Sequence, residues 1–167
     1  MTGERSRSRL PDLGPRGEGW VIGQFVLLGL LAAVSLPRVP HLLPTDLLSW
    51  FAFALGALAL AVAGSTLVGG FRDLGRNLTP LPRPREDAVL VESGIYAGIR
   101  HPIYAGLILG GLGWSALTRS LPALAIAIVL AIFLDAKARR EEAWLLARYA
   151  GYAAYRRRTK RFLPRVY

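Results

Sequence analysis

The stretch "LLSWFAFALGALALAVAGSTLVGGF", Leu47 to Phe71, runs for 25 residues without a charge. A helix rises about 1.5 Å per residue, so the segment is long enough to cross a hydrocarbon core of about 30 Å. A helix that is apolar all round has no face to give to water. This stretch therefore decides the fold class: an all-α, polytopic membrane helix bundle. Three more apolar runs flank it, "WVIGQFVLLGLLAAVSL" over 20–36, a segment over 102–118, and "LPALAIAIVLAIFL" within 120–135. About four transmembrane helices are expected. The last run has no proline after Pro122 and only Gly151 to interrupt it before Arg158. One long helix is predicted, leaving the bilayer near Asp135 as a C-terminal helical extension, with Lys137 snorkelling back to the headgroups.

Residues 1–18 are polar and rich in Arg, Gly and Pro, and read as a flexible cytosolic tail. They do not form a cleaved leader with the run from Trp20, because no small-residue cleavage site precedes a soluble chain. Residues 19–167 then form a single membrane domain, its site built from 72–104 and 137–165. The net charge of +10 falls unevenly. The N-terminal tail holds four Lys/Arg, the 72–100 loop five and the segment after Leu134 ten, against one each in the two other loops, Arg38 and Arg119. Basic loops stay inside, so both termini and the middle loop are expected in the cytosol, and a bacterial cytoplasmic membrane is the expected location. The charge serves topology and contact with anionic membrane lipids, and nucleic acid is not an expected partner. The chain has no cysteine, which excludes disulfides, thiolate metal sites and a Cys nucleophile, and its two histidines cannot build a histidine-rich metal centre.

Three clusters carry chemistry. In "SGIYAGIRHPIYAG", 93–106, Tyr96, Arg100, His101, Pro102 and Tyr104 stand at the threshold of the third span. Pro102 suits a first helical position, and the helix start with Arg100 offers donors to an anion. The same residues also fit a plain interfacial belt. In "ARREEAWLL", Glu141 and Glu142 follow Arg139 and Arg140. Adjacent helical residues point about 100° apart, so only one glutamate faces the bundle mouth, or both lie on a solvated face. The tail "YAAYRRRTKRFLPRVY" is polybasic, a surface for lipids, or its Phe-Leu-Pro folds back as an apolar wall. Gly106, Gly110 and Gly113 suit close helix packing, Ser65 and Thr66 suit bonds to their own helix, and Asp46 suits a helix cap.

The order of these clusters, "GRNLTPLPRPRED", "GIYAGIRHPIYAG", a hairpin of two short spans, "EEAWLL" and "YRRRTKRFLP", resembles the isoprenylcysteine carboxyl methyltransferases and, more broadly, membrane methyltransferases that include phospholipid N-methyltransferases. The resemblance covers about residues 71–165. It implies S-adenosylmethionine at the cytosolic face, capped by the C-terminal segment, with a lipid-like acceptor entering sideways from the bilayer. Position by position, Tyr96, Arg100, His101, Pro102 and Tyr104 fall on the cofactor motif, Glu141 and Glu142 on its glutamate pair, and Tyr155, Arg161, Leu163 and Pro164 on the closing tail. Glu142 is the candidate proton acceptor, with Arg139 and Lys137 beside it. Lys137 stands where the family pattern expects an arginine, and Lys does not grip a carboxylate bidentately. The expected activity is methyl transfer from S-adenosylmethionine to a lipophilic carboxylate, amine, thiol or hydroxyl. The alternatives are an NADPH-dependent reductase of the sterol-reductase type and a non-catalytic membrane protein. The acceptor and the oligomeric state stay open.

Overall fold

A computed structural model describes Pro11 and residues 13–83, 87–164 and 166–167. The expected tail residues 1–10 and 12, loop residues 84–86 and Arg165 lie outside the described residues. The chain forms α1 (Glu18–Ser35), α2 (Leu47–Leu74), α3 (Pro102–Thr118), α4 (Leu121–Arg148) and α5 (Tyr152–Arg158), with short 3-10 turns at Leu36–His41, Gly75–Asn77 and Gly94–Ala97. Three segments are long and apolar enough to cross a bilayer, Glu18–His41, Leu47–Asn77 and Leu121–Arg148. The fourth expected span, α3, has 17 residues. It is held in register by neighbours rather than by length.

Small residues set the packing. A Cβ on Gly56 of α2 would sit 2.7 Å from the Gly113 carbonyl oxygen of α3, and one on Gly106 would sit 2.7 Å from Leu67. Only glycine lets the two backbones approach this closely. On the opposite side of α3, Gly111 meets Ala127 of α4 and Leu31 of α1. Helix α1 packs on α4, so the bundle runs α2, α3, α4, α1. Asp46 closes a capping box with Ser49 at the start of α2, and Ser65 and Thr66 both donate to the Val62 carbonyl. At the far end from the site, Arg119 takes a left-handed conformation (φ 50°) and its guanidinium donates to the carbonyls of His41 and Leu42, tying the α3–α4 turn to the α1–α2 loop.

The continuous helix predicted through residue 158 is broken. Helix α4 stops at Arg148, Tyr149 is extended (φ −111°, ψ 114°), and α5 restarts at Tyr152. The cause is burial. The Tyr149 hydroxyl donates to the Ala88 carbonyl at 2.7 Å, and Tyr152 and Tyr155 are 1% and 2% exposed beneath the bundle. A straight helix would carry those rings into water. Beyond α5, Lys160 and Arg161 run alongside 98–101, with Arg100 N–H donating to the Lys160 carbonyl at 2.8 Å and His101 N–H to that of Arg161 at 3.1 Å. Residues 13–18, expected as free tail, are folded. Gly17 (φ 86°) presses against Pro82 and Trp144, and Arg83 donates to the carbonyls of Pro15 and Arg16.

Candidate active site

Proline at the first position of α3 leaves no N–H to satisfy there, and His101 before it is held off the helix at φ −128°. Arg100 and His101 are thereby aimed at α4, where Glu142 waits, 2% exposed. Its Oε1 accepts from Arg100 Nε at 3.0 Å and from Arg161 Nε at 3.2 Å, and lies 3.3 Å from His101 Nε2. Its Oε2 accepts from Arg161 Nη2 at 3.3 Å. Arg161 also reaches Asp135 at 2.8 Å and the Tyr167 hydroxyl at 2.8 Å. One carboxylate thus pins together the threshold of α3, the C-terminal part of α4 and the returning tail. Burying it costs solvation that the surrounding cations offset, and removing either side would strand a charge.

In front of this cluster lies a cavity of about 380 Å³ at the basic end of the bundle. It is lined by α3 and α4, by residues 77–80 and 88–91, and by Tyr149, Tyr152 and Tyr155. The cavity-facing carboxylate is Glu141, which accepts from the Tyr104 hydroxyl at 2.9 Å and lies 3.8 Å from His101 Nδ1. The His101 and Tyr104 rings stack at 5.3 Å, 4° from parallel. Tyr155 donates to the Tyr96 carbonyl at 2.7 Å, and burial pushes its phenol up to about 12. Tyr152 lines the same space with a buried hydroxyl that has no partner among the described residues. Burial, and secondarily the nearby Glu142 charge, pushes that phenol well above its usual range, so it stays a neutral donor at any working pH.

Of the residues singled out in the sequence, Tyr96, Arg100, His101, Tyr104, Lys137, Glu141 and Tyr155 line the cavity. Pro102 is buried at the head of α3, and Glu142 and Arg161 form the ion cluster behind the wall. The sequence points to Glu142 as proton acceptor, whereas here its oxygens are saturated by Arg100, His101 and Arg161. Arg139 lies outside the cavity, half-exposed and bonded to Asp135 at 2.6 Å. Leu163 is 56% exposed and Pro164 is exposed as well, while Phe162 turns in against His101. Gln24, Tyr149 and Tyr152 are among the lining residues that were not singled out in the sequence. A lone polar residue in the apolar run of α1 was the available signal for the first.

The matched segment of the chain coincides with this architecture. Residues 51–151 match the phospholipid methyltransferase family. The chain belongs to that family. The match takes in α2, α3 and α4, and leaves α1 and the tail beyond Gly151 outside. Among curated proteins similar to this family member is the cobalt-zinc-cadmium resistance protein CzcN of Cupriavidus metallidurans, 40% identical over 83 residues, covering 49% of this chain and 38% of the relative. The nickel-cobalt-cadmium resistance protein NccN of Alcaligenes xylosoxydans xylosoxydans is 35% identical over 83 residues, 49% and 39%. Protein-S-isoprenylcysteine O-methyltransferase of Schizosaccharomyces pombe is 32% identical over 83 residues, 48% and 35%. The aligned part of the chain spans less than two fifths of the length of each relative.

Proposed function

We propose that this protein transfers a methyl group from S-adenosylmethionine to a lipophilic acceptor that partitions into the membrane, at the cytosolic face. The observation that carries the reading is the convergence of 96–104 with 137–155 on one cavity lined by the Glu141 carboxylate, several tyrosines and a hydroxyl with no partner among the described residues. A volume of about 380 Å³ falls within the range of about 300–1,000 Å³ usual for small-molecule sites. The residues fit a zwitterionic nucleoside. Glu141 is placed for a cationic amine, and Tyr152 has a donor to give; Arg100, its Nε held by Glu142 and its Nη1 by the Arg156 and Thr159 carbonyls, keeps Nη2 for a carboxylate. When bound, the cofactor supplies an electrophilic methyl group on a sulfonium.

The chain's own residues supply position and dryness. The ring of Tyr96 offers a π face that favours positive charge, while those of Tyr104 and Tyr155 already meet His101, Lys137 and Arg158. Residues 77–80 and 88–91 with α5 wall part of the cavity, and shielding a bound acceptor from water there would favour an anionic or neutral nucleophile. Methyl transfer is an in-line displacement, so fixing two reactants at near-attack distance yields much of the rate. The Glu142 cluster does this indirectly by holding α3, α4 and the tail in register. If an acceptor arrives protonated, Glu141 is the carboxylate in reach of the cavity.

The test is methyl incorporation from labelled S-adenosylmethionine into the organic-solvent extract of host membranes, using purified protein. Label in that phase, reduced at least tenfold by Glu141→Gln, is expected. Absence of label together with tight binding of NADPH would replace this reading with a reductase.

A further inference from the structure

Helix α1 lies outside the family match, yet it sends one polar side chain into the cavity. Gln24 is the only polar residue between Trp20 and Ser35. Its Oε1 accepts from Lys137 Nζ at 2.6 Å, and the Pro80 carbonyl accepts from the same ammonium at 3.3 Å. Lys137 is 1% exposed and lines the cavity. Its ammonium stands 5.1 Å from the centre of the Tyr104 ring. No carboxylate among the described residues pairs with it. Glu141, one helical turn on, is the partner that spacing would favour, but Glu141 is engaged by Tyr104 instead.

We propose that Gln24 is a positioning residue that sets acceptor specificity, by holding the Lys137 ammonium at the α1 wall as the receptor for an acidic headgroup, carboxylate or phosphate, on an apolar chain. A neutral amide orients the cation without cancelling it. Two of the three ammonium donors are taken by Gln24 and Pro80, which leaves one for a ligand. Glu141 acts on the ammonium through space without bonding it, and in a site of low dielectric the donor left over favours an anionic headgroup over a neutral one. Phe25 and Leu28 of α1 and Phe71 of α2 extend the cavity as an apolar lining suited to the chain. A carboxylate in place of the amide would neutralise Lys137 and erase the preference.

The word "acceptor" rests on the proposed methyl transfer, while the test below does not require turnover. Purified protein in nanodiscs is titrated with laurate, dodecyl phosphate and dodecanol, and S-adenosylmethionine binding is measured on the same samples. Laurate or dodecyl phosphate should bind at least tenfold more tightly than dodecanol, and the tighter of the two names the headgroup. Gln24→Glu should bring all three within twofold, Gln24→Leu should cut the preference at least threefold, and Lys137→Arg should keep most of it. Equal binding of dodecanol in the unaltered protein, or a preference that survives Gln24→Glu, overturns the proposal. The second outcome would assign the anions to the basic surface. Cofactor binding without headgroup preference sinks this inference alone, and preference without cofactor binding sinks the methyl-transfer reading alone.

Discussion

Tyr152 and Glu142 sit a few side chains apart and should respond to substitution in opposite ways. The Tyr152 hydroxyl is buried with no partner among the described residues, so it costs folding energy until a ligand satisfies it. Tyr152→Phe is expected to leave the melting temperature unchanged or raise it, while weakening S-adenosylmethionine binding about fivefold to tenfold, the size of one lost hydrogen bond. Calorimetric titration beside a thermal melt separates the two effects. Glu142 is the reverse case. Glu142→Gln leaves Arg100, His101 and Arg161 without their shared anion, and breaking a buried ion pair costs about 3 kcal/mol or more. A lower melting temperature and faster proteolysis of the tail are expected, because Arg161 ties the tail to Glu142. A variant melting like the parent would show that the cluster is not structural.

At the scale of elements, the turn into α3 is the demanding one. Gly94 has φ +61°, and a Cβ there would fall 2.0 Å from Asp73 Oδ2, which accepts from the Ile95 N–H at 2.8 Å. Gly94→Ala should therefore cost about 2 kcal/mol, combining left-handed strain with a clash. Gly151→Ala is its control. That glycine has φ −77° and open space around it, so alanine should be neutral or stabilise by about 0.5 kcal/mol through the unfolded chain. Chemical or thermal unfolding in one detergent compares both. The elements themselves were largely legible: uncharged runs gave the long helices, Pro102 gave the start of α3, and Asp46 gave a cap. The break at Tyr149 was not, since nothing in "ARYAGYAAYRRR" forbids a helix and only burial of Tyr152 and Tyr155 forces the bend. The convergence of Arg100 with Glu142 was legible only as a resemblance, because the pairing spans 42 positions and no local pattern encodes it. Gln24 stood out only as a lone polar residue in an apolar run, and its pairing was unreadable for the same reason. Its partner is 113 residues away.

For the molecule as a whole, charge placement implies an orientation. The ends of α2 and α4 near the cavity, and α5, carry the exposed Arg76 and Arg157, while Arg38 stands at the opposite end of the bundle. Basic residues are retained in the cytosol. The chain lacks cysteine, so Arg76→Cys, Arg157→Cys and Arg38→Cys can be labelled singly without background. A membrane-impermeant maleimide added to intact cells should modify only the Arg38 position, and labelling of all three or of the reverse set would contradict the orientation. Beyond orientation, the account depends on one cavity at the basic end serving an adenosine-bearing methyl donor. The most direct test is calorimetric titration of the purified, detergent-solubilised protein with S-adenosylmethionine and, separately, NADPH. Saturable binding of the first with one site per chain, weakened by Tyr152→Phe and by Glu141→Gln, is predicted; binding of NADPH alone, or of neither, would contradict it.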